Sequence, residues 1–333
     1  MKHLRRWAIT AIVTLATVVS LVSCQTHTAA QTESSLTLDS AGLTLEELAE
    51  GVYGLIASTD FPPADFETTG ICNGAIIVGS DGVLVVDPFQ SDTLAALMFE
   101  TVATLTDQPI RYVVNTHYHF DHSGGNATAE SLDYPIVGRG PIREFMLTRN
   151  LELDPNPAAP DVVVNGDSSL WLGDRQVQLA EFDGHSGGTD LVVYVPDVDV
   201  LITGDLLFTQ RIPFIGDGSI RLWRSNLDGL AAIYADAKIL PGHGPIGDRA
   251  DLETLQDYLT YLEDLGLEWQ AENLSEAAAI AQTTVDSQYA DYLFQGLFQG
   301  NLEVTYQQIT LGQEDVTSIQ TYFAAQPPEL QAL

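Results

Sequence analysis

Histidine, cysteine and positive charge are all scarce in this chain. Its 333 residues include 7 His, 2 Cys and 13 Lys plus Arg, against 46 Asp plus Glu. The formal net charge of −33 repels phosphate backbones, so no nucleic-acid partner is expected. A well-solvated acidic surface is the plain reading of that charge. Two cysteines cannot build a disulfide framework. No apolar run reaches the roughly 20 residues that a membrane-spanning helix requires. With 45% hydrophobic and 18% charged residues, the composition is globular. The length suits one large domain or two ordinary ones.

The nearest approach to a membrane span is "WAITAIVTLATVVSLV", an uncharged run of 16 residues behind Lys2, Arg5 and Arg6. That layout is an export signal. It ends in Leu21-Val22-Ser23-Cys24, which resembles the lipobox of bacterial lipoproteins. The resemblance implies a signal peptide over residues 1–23 and a lipid on Cys24. The chain would then be exported and held to a bacterial membrane by that lipid, on the periplasmic or cell-surface side. Residues 25–38 are polar and aperiodic, so residues 24–42 are expected to form a flexible tether before a domain spanning 43–333. With Cys24 acylated, Cys72 has no intrachain partner and reads as a small buried apolar residue.

From about residue 50, short apolar runs alternate with helical spacing. "GVYGLIAS", "GAIIVGS" and "GVLVVDP" read as strands, with "SDGV" as a hairpin turn. "SDTLAALMFETVATLTDQP" reads as a helix capped by Ser91 or Asp92 and ended by Pro109. "IRYVV", "YPIVG", "QVQLAEF", "LVVYVP", "VLITG" and "KIL" read as further strands, and "PIREFMLTRN" as a helix. "SNLDGLAAIYADA" reads as a helix started by Ser225 and Asp228. Leucines every three or four residues make the chain helical from about residue 250. The pattern predicts an α/β sandwich with its site on loops at strand ends.

Three of the seven histidines crowd into "VVNTHYHFDHSGGN", as His117-x-His119-x-Asp121-His122. His185 in "DGHSGGTD", Asp205 in "LITGDLLF" and His243 in "LPGHGP" stand in similar settings, after apolar strands and beside Gly, Ser or Asp. One histidine beside a glycine is usually a turn residue. Five histidines and two aspartates, all at strand exits, form a metal-ligand set. Seven groups exceed one tetrahedral ion and suit two ions that share a ligand. All donors are nitrogen or oxygen, so zinc fits and iron or manganese stays open.

These residues resemble the complete ligand set of the metallo-β-lactamase superfamily, over roughly residues 45 to 310. The resemblance implies a four-layer αββα sandwich with two Zn2+ ions at one edge. His117, His119 and His185 would hold the first ion, Asp121, His122 and His243 the second, and Asp205 would bridge them. Asp87 would be a buried support for the ligand loop. A metal ion lowers the pKa of its water from about 15.7 to about 7, which no side-chain base matches. The expected nucleophile is therefore a metal-bridging hydroxide that cleaves an ester, thioester, lactone or amide of a small molecule, with Asp121 orienting it and passing its proton. Asn115, Thr116 and Thr203, besides Asp87, are positioned to fix ligand imidazoles, while Ser123 and Ser186 read as turn-shaping residues. The alternatives are a single-iron oxygenase of the same fold, or a metal-binding lipoprotein without catalysis.

Asp205 in "TGDLLF" is similar to the bridging aspartate of glyoxalase II and its relatives. The best-known zinc β-lactamases have Cys there and a drug-binding Lys soon after, and this chain has neither. "RIPFIGDGSIRLWRSNLDGL" resembles a branch of exported hydrolases described as β-lactamase-like or as quinoprotein-relay zinc hydrolases. In that stretch Arg211, Arg221 and Arg224 are candidates to meet a substrate carboxylate, or else ordinary salt-bridge partners, and Trp223 and Phe214 are candidates to wall a pocket.

Overall fold

The computed structural model describes residues 36–313, residue 152 excepted. The expected signal peptide and the lipidation site Cys24 lie outside the described residues.

The first sheet begins with the antiparallel strands β1 (Leu43–Ala49), β2 (Val52–Ala57), β3 (Gly74–Val78) and β4 (Val83–Val86). Helix α1 (Asp92–Leu105) then leads into β5 (Ile110–Val114), parallel to β4. Two short helices, α2 (Phe120–Ser123) and α3 (Asn126–Ser131), precede β6 (Ile136–Arg139). Helix α4 (Ile142–Met146) precedes β7 (Val162–Val164), which closes a sheet of seven strands in sequence order. The second sheet runs antiparallel through β8 (Ser168–Leu172), β9 (Arg175–Glu181), β10 (Leu191–Val195) and β11 (Val200–Phe208). After α5 (Ile220–Ile233), β12 (Lys238–His243) pairs parallel with β11 and ends this five-stranded sheet. Helices α6 (Arg249–Glu272), α7 (Glu276–Gln282) and α8 (Phe298–Thr305) follow.

Period-2 burial explains the layering. In β4, Leu84 and Val86 face the core between the sheets, while Val83 and Val85 face the core under α1. In β10 and β11, Val193, Val200 and Ile202 face the inter-sheet core, while Val192 and Leu201 face α5, α6 and α8. A strand buried on both faces reads as a continuous apolar run, which is why "GVLVVDP" and "LVVYVP" show no alternation. The result is the expected α/β order of helix, sheet, sheet and helix, with a helical region after residue 248.

Four expectations need correction. Structured chain begins before residue 42: Ala41 is fully buried, and Leu36 and Leu38 pack on the core under α1. Strands β1, β7 and β8 were not distinguished in the sequence: β1 and β8 carry Thr, Glu or Ser, and β7 is only three residues long. Helix α4 is shorter than "PIREFMLTRN". Helix α5 starts at Ile220, not Ser225, because the Ser219 hydroxyl accepts from Leu222 N at 3.3 Å and Ile220 and Trp223 are drawn into the core.

Leu84, fully buried between the sheets, is expected to cost about 2–5 kcal/mol when replaced by Ala. Leu132→Ala, at a side chain 48% exposed, is expected to cost under about 0.5 kcal/mol. Urea midpoints at constant m-value check both.

Candidate metal centre

The seven residues singled out in the sequence converge at one edge of the two sheets. His117 and His119 lie on the loop after β5, and Asp121 and His122 lie on α2. His185 lies between β9 and β10, Asp205 lies in β11 past an irregularity at Gly204, and His243 ends β12. Donor atoms of His117, His119, His185 and Asp205 all lie within 4.8 Å of one another, and so do those of Asp121, His122 and His243.

Asp205 stands between the two sets. Its Oδ2 is 3.6 Å from both His117 Nε2 and His185 Nε2. Its Oδ1 is 3.0 Å from His122 Nε2 and 3.2 Å from His243 Nε2. Asp121 Oδ2 is 3.4 Å from His122 Nε2 and 3.3 Å from His243 Nε2. Ligands held at about 2.0–2.2 Å around a tetrahedral ion stand roughly 3.3–3.6 Å apart, so these spacings are the edges of such tetrahedra. Both nitrogens of His185 are buried with no hydrogen-bond partner, and Asp205 Oδ1 meets only the imidazoles of His122 and His243. Left so, each would cost about 1–3 kcal/mol, and a shared cation would relieve them.

The electrostatics agree. Burial opposes ionisation of Asp205, yet His243, His122 and His117 hold its carboxyl well below the usual range. Burial likewise opposes charge on His243, yet Asp205 and Asp121 push its pKa up to about 9. His122 is raised for the same reason, against its burial. Without ions, protons on His122 and His243 thus supply the positive charge that this set of donors requires. The donor set fits transition ions.

A second layer turns the imidazoles other than that of His185. Asp87 accepts from Thr116 N at 2.8 Å, from the Thr116 hydroxyl at 2.7 Å and from His122 Nδ1 at 2.9 Å. The Thr116 hydroxyl also lies 3.0 Å from His117 Nδ1, and His243 Nδ1 donates to Ile71 O at 2.8 Å. Asn115 braces the loop through Asn126 and the His122 carbonyl, touching no ligand imidazole. Thr203 bonds only backbone carbonyls of Gly204 and Leu240, so its expected support of a ligand does not materialise. Ser123 and Ser186 shape turns, donating to the His119 carbonyl and to Asp190. Cys72 is buried, and its thiol donates to the Asp121 carbonyl at 2.9 Å. Gly242 admits no side chain, because a Cβ there would stand 2.0 Å from Asp205 Oδ1.

Three supports had no signal in the sequence. Asp217 is fully buried and lies 3.2 Å from His119 Nε2, leaving Nδ1 to face His117 Nε2 at 3.0 Å. It also accepts from the Tyr118 hydroxyl. Asp190 accepts from the backbone N of Gly184, His185 and Ser186, fixing the His185 turn. The Asn73 amide donates to the carbonyls of Pro241 and Gly244, bracketing His243. Asp217 and Asn73 adjoin Gly and Asp190 stands two residues after one, which is ordinary turn vocabulary, so nothing marked them. Arg221 and Arg224 both pair with Glu263, which makes them structural salt bridges rather than substrate contacts.

A narrow cleft of about 50 Å3 opens over the centre, and Asp121 has 15% of its side chain exposed there. Phe214 lines this cleft, whereas Trp223 is fully buried behind His185, with ring centroids 5.1 Å apart.

A family profile described as the metallo-beta-lactamase superfamily matches residues 68–243, just over half of the chain. A probable metallo-hydrolase of Bacillus subtilis is 29% identical over 168 residues, which cover 46% of this chain and 77% of that protein. A hydroxyacylglutathione hydrolase of Shewanella pealeana is 27% identical over 165 residues, covering 49% of this chain and 56% of that protein. Among solved structures, a metallo-beta-lactamase from Pontibacter korlensis superposes with a TM-score of 0.56 at 23% identity, covering 66% of this chain and 99% of that one. This last likeness shows the fold.

Asp217→Asn is expected to weaken zinc binding about 10- to 100-fold, the usual effect of removing a carboxylate behind a ligating imidazole. Competition with a coloured chelator measures it, and circular dichroism checks that the fold is kept.

Proposed function

The chain belongs to the metallo-β-lactamase superfamily, and from that premise we propose that it is a hydrolase working with two transition ions on a small-molecule ester, thioester, lactone or amide. His117, His119 and His185 would hold one ion and Asp121, His122 and His243 the other, with Asp205 shared. The observation that carries this reading is the Asp205 carboxylate, whose two oxygens face different ligand sets at 3.0–3.6 Å. Zinc suits these nitrogen and oxygen donors, as iron or manganese would.

When bound, the ions lower the pKa of water and polarise the scissile carbonyl. The chain's own groups do the rest. The water oxygen bonds to the carbonyl carbon, the bond from that carbon to its oxygen, sulfur or nitrogen leaving group breaks, and the proton ends on the leaving group. Asp121 is the ligand whose carboxylate opens to the cleft, so it orients the water and carries that proton. Asp87, Thr116 and Asp217 hold the imidazoles still while charge shifts. The second donor set speaks for two ions rather than a one-iron oxygenase, and the open cleft speaks for catalysis. The proposal extends to export and lipid anchoring at Cys24, supported by the Leu21–Cys24 sequence alone.

His119→Ala and Asp121→Ala are each expected to abolish turnover and to lower bound metal while circular dichroism stays native. Full activity in either variant contradicts the mechanism. For the anchor, detergent-phase partitioning of the bacterially expressed full chain is expected to be lost in Cys24→Ser. A variant that still partitions rules lipidation out.

A further inference from the structure

We infer that the cleft beside the candidate metal centre selects an uncharged substrate with an apolar, preferably aromatic, acyl group, and discriminates against carboxylate-bearing substrates such as glutathione thioesters. The inference rests on the hydrolase reading and names its substrate class.

Apart from the ligand groups, the cleft is walled by Phe61, Phe120, Phe208, Phe214, Phe294 and Leu297. These residues come from the loop before β3, the start of α2, the end of β11, the loop after it and the segment before α8. Phe208, Phe214, Phe294 and Leu297 are buried in the wall, while Phe61 and Phe120 are half-buried at its opening. The rings reach the ligands themselves. Phe208 stacks on His243 with centroids 4.9 Å apart, Phe294 meets the same imidazole at 5.3 Å, and Phe214 meets His119 at 5.3 Å. Asp60 Oδ1 accepts from Phe61 N at 2.8 Å and from Phe294 N at 2.7 Å, so one carboxylate ties two of the rings to a common point. An acyl group whose carbonyl sits at the ions therefore has apolar wall on its remaining sides.

No Lys or Arg lines the cleft among the described residues. Arg221 and Arg224 belong to Glu263. Arg211 is 7% exposed, lies 5.6 Å from the centroid of the Phe294 ring and donates to Gln210 O. The positive charge of bound ions acts on the scissile group. A second carboxylate, such as glutathione carries, would meet only rings and the field of a chain of net charge −33.

The test uses zinc-loaded full-length protein and p-nitrophenyl esters from acetate to hexanoate, with phenylacetate. Counterparts of equal length ending in a carboxylate, and an S-acylglutathione, complete the panel. Water adds at the acyl carbon, the bond to the phenolate or thiolate breaks, and coloured phenolate or free thiol is read. The expected result is a rise in kcat/KM of about fourfold per added methylene until the cleft is filled. The carboxylate-ended ester is expected at least about tenfold below its neutral counterpart, and Phe61→Arg is expected to shrink that ratio. Equal or faster turnover of the carboxylate-ended ester or the glutathione thioester overturns the inference while the hydrolase reading stands. If nothing is hydrolysed, the hydrolase reading fails instead. Binding of the same esters, read by tryptophan fluorescence, then decides: affinity rising with chain length supports the apolar site, and flat or carboxylate-favouring affinity overturns it.

Discussion

Asp205 is a carboxylate 3% exposed to solvent, with imidazoles against both of its oxygens. A charge buried that deeply loses several kcal/mol of hydration unless positive charge faces it closely. Asp121 adds a second carboxylate to the same site. The rest of the centre follows from that constraint. Protons on His122 and His243 can answer it, and metal cations would answer it better. Close approach is secured by leaving out side chains: Gly242 lies where any Cβ would touch Asp205, and a Cβ on Gly204 would stand 2.3 Å from the Thr116 hydroxyl.

The fold contributes rigidity and direction. Two sheets present the ends of β5, β9, β11 and β12 at one edge, so residues up to 126 positions apart in sequence meet within a few ångströms. Buried carboxylates and amides behind them (Asp87, Asp190, Asp217 and Asn73) bind backbone and imidazole together rather than solvent. In a dry interior such polar networks are well satisfied or very costly, and here each residue has at least one named partner, although Asp217 Oδ1 accepts no hydrogen bond. The outer helices matter as well: Trp223 of α5 packs directly on His185 while its indole donates to Leu206 O.

Much of the centre was legible in the sequence for a physical reason. Short apolar runs ending in Gly, Asp or His mark strand exits, and the scarcity of histidine made five of them at such exits conspicuous. The supporting layer was less legible. Asp87 and Thr116 stood out by adjacency and family resemblance, but Asp217 in "IGDGS" looks like any Asp-Gly turn until Tyr118 and His119 are seen against it. Of the cleft only Phe214 stood out, since a phenylalanine in an apolar context reads as core whether it faces a helix or a substrate. Capping chemistry misled once, because Ser225 and Asp228 imitate a helix start inside α5. Strands β7 and β8 escaped notice because they are short and partly exposed, three and five residues long.

The most direct measurement is metal stoichiometry with X-ray absorption on the purified, reconstituted chain. The account predicts two transition ions per chain, each in a nitrogen and oxygen shell without sulfur. A single ion, no retained ion, or a sulfur shell contributed by Cys72 would contradict it.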